Sequence, residues 1–137
     1  MAKEMWLNFG VDDLIKSREF YQAIGFKIME QHANNNQMVG LVIGEQKVAV
    51  MLFPKSVFGG FIQNTVTNTG ESNEVLISID AASPEEVDAL IALVEKAGGK
   101  VYGKPGWSQG WMYGAGFCDL DGHRWNILHM DMSKMPK

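Results

Sequence analysis

A second cysteine is missing. With Cys118 alone, the chain cannot close an intramolecular disulfide, and a lone thiol inside an expected strand reads as a small buried side chain more than as a nucleophile. A reducing compartment, and hence the cytoplasm, is the natural setting. Long apolar runs are missing too: no stretch approaches the ~20 residues a membrane-spanning helix needs, and MAKEMWLNFGV carries no basic segment followed by an apolar core. Membrane partners are therefore not expected. There is no basic excess either. Twelve Lys and Arg stand against sixteen Asp and Glu, for a net charge of −4, and the lysines are scattered, so nothing favours nucleic acid and the acidity mainly serves solubility. Histidine is scarce. His32 lies in a polar linker, His123 beside a turn and His129 near the C-terminus, all positions where a solvated ring is expected. No constellation of nucleophile and base stands out.

The chain does carry enough apolar residues, 46% of 137, for one compact domain or two small modules sharing a core. FCDLDGHRWNIL, from Phe117 to Leu128, reads as a β-hairpin, because Asp121-Gly122 is a strong turn dipeptide between two alternating runs. After the turn, Trp125 and Ile127 fall on one face and Arg124, Asn126 and Leu128 on the other. A carboxamide thus stands where an apolar residue is expected, on a face that either lines a cavity or meets solvent. Met5 to Val11 alternates in the same way, with Leu7, Phe9 and Val11 against Trp6, Asn8 and Gly10.

Asp12 or Asp13 can cap a helix over DLIKSREFYQAIG, whose Leu14, Ser17, Tyr21 and Ile24 recur at helical spacing, with Phe20 widening the buried side, before Gly25 stops it. Strands are expected at Phe26 to Gln31, Gln37 to Ile43 and Lys47 to Phe53, joined by turn-rich linkers at His32 to Asn36 and Gly44 to Gln46. Pro54 to Asn73 dissolves into Gly, Asn, Thr and Ser, with Phe58 and Phe61 exposed, and reads as a long connection. Order resumes with a strand from Glu74 to Asp80. Ser83-Pro84-Glu85-Glu86 then supplies an N-cap, a proline at the first helical position and an acidic capping-box residue. Val87, Leu90, Ile91, Val94 and Ala97 form the apolar stripe of that helix, and Gly98-Gly99 ends it. Strands follow at Lys100 to Gly103, Met112 to Asp119 and His123 to Met130.

The two halves repeat: a strand ending in Val11-Asp12 or Ile79-Asp80, an amphipathic helix, a glycine stop, a lysine, then more strands. This predicts an α+β fold of two βαβββ modules forming a curved mixed sheet around a cleft with the helices outside. Residues 1–137 make a single domain, with module one at about 5–53, a linker at 54–73 and module two at about 74–130. Trp6, Asn8, one of Met51 or Leu52, Glu74 and Asn126 would then look into the cleft. Trp107, Trp111 and Tyr113 lie in and just after the Gly-rich GKPGWSQGW, where they either fold over the cleft to capture a planar or amphiphilic ligand, seal the core, or meet a second subunit.

These residues resemble the vicinal-oxygen-chelate group, which includes glyoxalase I, bleomycin-resistance proteins and extradiol dioxygenases. Asp13, Leu14, Ser17, Phe20, Tyr21, Gly25 and Phe26 match the group's D-L-x-x-S-x-x-F-Y-x-x-x-G-F pattern. Asp119, Asp121 and Gly122 match its D-x-D-G turn. The resemblance implies four metal-ligand positions, falling on Asn8, on Met51 or Leu52, on Glu74 and on Asn126. Two amides, an apolar side chain and one carboxylate are far from the His and carboxylate set of a transition-metal site, so no metal cofactor is expected. Two functions follow. One is metal-independent binding of a small organic ligand through Trp6, Asn8, Met51, Trp107, Trp111, Tyr113 and Asn126, in the manner of the bleomycin-resistance branch. The other is a lyase, isomerase or dioxygenase acting on a small oxygenated metabolite, with a loosely held divalent metal or with Glu74 as general base. A homodimer is expected in either case, since each module leaves a sheet edge to cover.

Overall fold

The computed structural model describes residues 1–32 and 36–136. Most of the His32 to Asn36 linker, and the side chain of His32, lie outside the described residues. Two compact units emerge, Met1–Asn68 and Thr69–Lys137, and each is a βαβββ module.

In the first, β1 (Trp6–Val11) is followed by α1 (Leu14–Ala23), β2 (Lys27–Ile28), β3 (Val39–Ile43), β4 (Val48–Pro54) and a short helix α2 (Lys55–Ile62). The sheet order is β1-β4-β3-β2, with β1 parallel to β4 and the remaining pairs antiparallel. Asp13 caps α1 by accepting Lys16 N–H at 3.0 Å. Gly25 takes up the left-handed backbone, φ +92°, that turns the chain out of the helix. Leu14, Phe20, Tyr21 and Ile24 of this segment are buried with Val39, Leu41, Val50 and Leu52. Tyr21 meets Phe20 edge-on, with ring centroids 5.2 Å apart.

The second unit repeats the plan with β5 (Leu76–Asp80), α3 (Pro84–Lys96), β6 (Lys100–Ser108), β7 (Met112–Cys118) and β8 (Arg124–Met130), in the order β5-β8-β7-β6. Ser83 Oγ accepts Glu86 N–H at 3.2 Å, while the Glu86 carboxylate reaches back to Ala82 N–H at 2.7 Å. Gly98, φ +92°, plays the part of Gly25. Val87, Ile91 and Val94 of α3 are buried, and Phe117 stacks on its cross-strand partner Trp125. The α+β class and the doubled βαβββ order are those expected from the repeat.

Three elements differ from expectation. The connection after Pro54 holds a helix, α2, which docks on the sheet: Phe58 packs so tightly on β1 that a Cβ at Gly10 would lie 3.0 Å from its Cδ2, and Phe61 stands edge-on to Phe53 at 5.0 Å. β2 leaves the ladder after Met29 N–H bonds Gly40 O, and a 3-10 turn at Glu30–His32 replaces the rest of the expected strand. β6 runs on to Ser108 through Pro105, with its register broken between Val101 and Gly103 and again between Gly103 and Gly106. Proline is tolerated there because β6 is the outermost strand of its sheet.

Candidate functional site

Strand pairing decides which side chains meet. In module one Asn8 lies opposite Met51, Trp6 opposite Ala49 and Gly10 opposite Phe53. Laterally paired residues share a face and neighbours along a strand alternate. Trp6, Asn8 and Met51 therefore lie on the face away from α1, the face on which α2 docks through Gly10 and Phe53. Leu52 pairs with Phe9 instead and is fully buried on the α1 side. Of the two alternatives left by the sequence, Met51 shares the face of Asn8. Met51 is 8% exposed, whereas Trp6 beside it is 54% exposed. The face thus offers an aromatic surface, a carboxamide and a thioether.

In module two Asn126 lies between Ser78 and Gly116, and its amide donates to Ser78 Oγ at 3.4 Å. This face is turned away from α3, because Ile77, Ile79, Trp125 and Ile127 occupy the other side of the same strands. Gly116 leaves room for the Tyr102 ring, which lies directly over it. The Tyr102 hydroxyl donates to Trp125 O at 3.0 Å, and the Arg124 guanidinium sits 4.3 Å from the ring centroid. Burial raises the Tyr102 pKa, and the neighbouring Arg124 charge opposes the rise. Ser78, Tyr102 and Arg124 were not singled out from the sequence. The signal available was Gly116, a residue without a side chain directly across from a polar strand residue.

Glu74 precedes β5 in an exposed bend, so the strand expected from Glu74 begins two residues later, at Leu76. No strand pairing sets Glu74 beside Asn126. The hairpin aromatics also stand apart. Tyr113 pairs with His129 and Trp107 with Tyr113, on the face opposite to that of Asn126. The Tyr113 hydroxyl donates to Asp88 Oδ1 of α3 at 2.7 Å, and the Trp107 and Tyr113 rings meet edge-on at 5.3 Å. Trp111 lies in the β6–β7 turn, its carbonyl accepting Asp131 N–H at 2.8 Å.

One group of potential metal ligands occurs among the described residues, Asp119, Asp121 and His123, with ligand atoms within 4.8 Å of one another. It belongs to the β7–β8 turn. Asp119 Oδ1 accepts the N–H of Asp121 at 3.0 Å and of His123 at 2.9 Å, while Oδ2 lies 2.7 Å from His123 Nδ1. The Asp119 carboxylate is thereby engaged in closing the turn, and both Asp119 and His123 are buried. His129 is partly buried, with Nδ1 3.2 Å from Ala81 O. The solvated setting expected for the histidines does not hold for His123. Its ring is drawn inside by the Asp119 carboxylate.

Residues 3–44 match a family described as bleomycin resistance protein-like N-terminal. A search of curated proteins finds no match. Among solved structures, the chain is similar to the hypothetical protein SA1046 of S. aureus, at 43% identity over 94% of this chain and 95% of that one, with a TM-score of 0.84. It also shares its fold with a glyoxalase/bleomycin resistance protein/dioxygenase family enzyme of Burkholderia phytofirmans, at 19% identity, 91% and 96% coverage and a TM-score of 0.74. The fosfomycin resistance protein FosX of Listeria monocytogenes has the same fold at 15% identity, 98% coverage of both chains and a TM-score of 0.68. With its doubled βαβββ order, the bleomycin-resistance-like match of residues 3–44 and these structural neighbours, the chain has the fold of the vicinal-oxygen-chelate superfamily.

Proposed function

We propose that this protein binds a small organic ligand without the help of a tightly held metal. The observation that carries the reading is the register: it sets Asn8 beside Met51 and Asn126 beside Ser78, and neither pair contains a histidine or a carboxylate. Amides, a hydroxyl and a thioether are poor substitutes for the imidazole and carboxylate donors that hold zinc, nickel, manganese or iron. Glu74, the one charged residue at a family ligand position, is exposed ahead of its strand. The same side chains suit an organic molecule. Asn8 and Asn126 each offer a donor and an acceptor, Arg124 adds a cation beside Asn126, and Trp6 and Tyr102 add flat apolar area. The ligand is therefore an apolar or planar molecule with carbonyl or hydroxyl oxygens, of the kind that an amide or a guanidinium orients. The protein acts as a homodimer.

Calorimetric titration with zinc and with nickel tests the metal part. The parent is expected to bind neither tightly, and Asn8→His combined with Asn126→Glu is expected to raise affinity for both. Sub-micromolar binding by the parent at one site per chain would overturn the proposal and favour a metal-dependent lyase, isomerase or dioxygenase. The ligand part is tested by tryptophan fluorescence, with metal-free bleomycin as the first probe because of the family that residues 3–44 match. Saturable quenching that is lost in Asn126→Leu supports the reading.

A further inference from the structure

The aromatics of the β6–β7 hairpin take no part in the amide-bearing face, yet they are organised. Trp107 is 52% exposed, its ring braced edge-on by Tyr113, which is itself held by the hydrogen bond to Asp88. Glu85, one turn earlier on α3, adds negative charge near the Tyr113 hydroxyl. Over the Trp107 ring, 5.4 Å from its centroid, stands the Lys134 ammonium. Lys134 comes from the 3-10 turn at Met132–Lys134, which is tied to the hairpin by Asp131 N–H bonding Trp111 O at 2.8 Å. The Asp131 carboxylate caps that turn through Ser133 and lies 3.8 Å from Lys134 Nζ.

We propose that the Trp107 face is a binding site for a small organic ammonium, in which the Lys134 side chain sits as an internal, displaceable occupant. The ring presents the negative face of its quadrupole, Asp88 holds the Tyr113 ring that braces it, and Asp131 lies beside the Lys134 ammonium above it, so the site favours a cation. Lys134 is a poor permanent occupant. Its ammonium is strongly hydrated, its side chain is 60% exposed, and its only ion pair among the described residues is the long one to Asp131. An alkylated ammonium is less hydrated and gives up less solvation on reaching the ring. The site shares no residue with the pairs around Asn8 and Asn126, so it stands or falls independently of the proposed ligand face.

The test is titration of isotopically labelled protein with tetramethylammonium chloride, read on the Trp107 indole resonance, with sodium chloride at equal ionic strength as the control. A saturable shift with tetramethylammonium alone is expected. Lys134→Ala should tighten binding about threefold by removing the competitor, and Trp107→Leu should abolish the tetramethylammonium-dependent shift of the neighbouring Tyr113 ring. An unchanged resonance for buried Trp125 certifies that each variant is folded. No saturable shift, an equal shift with sodium chloride, or an affinity that Lys134→Ala leaves the same or weakens would each overturn the proposal.

Discussion

Single residues carry the tightest constraints in the β7–β8 turn. Gly122 has φ +91°, and a Cβ there would run into the backbone carbonyl of Thr69. Thr69 Oγ1 in turn donates to Asp121 O at 2.5 Å, and the Asn73 amide bridges Thr69 O and Gly122 O. Since the clash is with backbone and not with a flexible side chain, Gly122→Ala is expected to lower stability by about 2–3 kcal/mol, measured as a shift in urea midpoint with unchanged slope. A cost below about 1 kcal/mol would mean that the Thr69 segment can retreat. The D-x-D-G pattern was legible because Asp-Gly has a local meaning. The burial of His123 was not, because it depends on the Asp119 carboxylate reaching the ring at 2.7 Å. Tyr113 gives a residue-scale pH prediction. Its pKa is raised, first by the hydrogen bond to Asp88 and then by burial and by the Asp88 and Glu85 charges. A raised pKa means that the folded state holds the phenolic proton. The associated stabilisation is complete below the unfolded value of about 10 and is lost as the pH climbs through the higher folded value. Ultraviolet difference titration should find Tyr113, like Tyr102, ionising late, and Asp88→Ala should bring Tyr113 alone back towards the ordinary value.

Among the elements, α1, α3 and their caps were readable because their signals are local: Asp12 or Asp13, of which Asp13 is the cap, and Ser83 as N-caps, Pro84 at the first position, Gly25 and Gly98 at the stops. Helix α2 was not. Gly59-Gly60 reads as a breaker, and what holds the helix is tertiary: Phe58 on Gly10, Phe61 on Phe53 and the Lys55–Asp12 ion pair at 2.8 Å. Nor could the sequence reveal that Trp107 and Tyr113 lie on the α3 face, because the two register breaks in β6 defeat any counting of alternation from Lys100. The two glycines of α2 separate propensity from packing. A Cβ at Gly60 would meet nothing within 4 Å, whereas at Gly59 it would sit 3.3 Å from Val66 Cγ2. Gly60→Ala is therefore expected to stabilise the protein by about 0.5–1 kcal/mol, and Gly59→Ala by less or not at all. Equal gains from the two in denaturant melts would show that Val66 yields freely. Ser83→Ala, which removes the cap of α3, should cost about 1 kcal/mol in the same assay.

For the whole molecule, the question is what covers the first strand of each module. β1 and β5 are outermost in their sheets, and each is entered through a pair of exposed apolar residues, Met5 and Trp6 in one case, Val75 and Leu76 in the other. An edge strand with an open ladder and apolar side chains is a liability in an isolated chain, and natural proteins pair, charge or cover such edges. Neither edge is charged at these positions. Lys3 and Glu4 precede β1 without interrupting its apolar start, and Glu74 stands one residue before Val75. Cover by a second copy of the chain, with the same patch used on both sides of a twofold axis, disposes of the exposed edge with no further partner. Sedimentation across a range of concentrations should therefore show a dimer that dissociates only on dilution. Leu76, 55% exposed, is the sharper probe, because a lysine there leaves the buried core of module two untouched while setting two like charges near the axis. Leu76→Lys is expected to weaken the dimer by about tenfold or more with an unchanged melting profile of the secondary structure. A parent protein that sediments as a monomer at every concentration would refute the dimer, and a dimer indifferent to Leu76→Lys would place its interface away from β5.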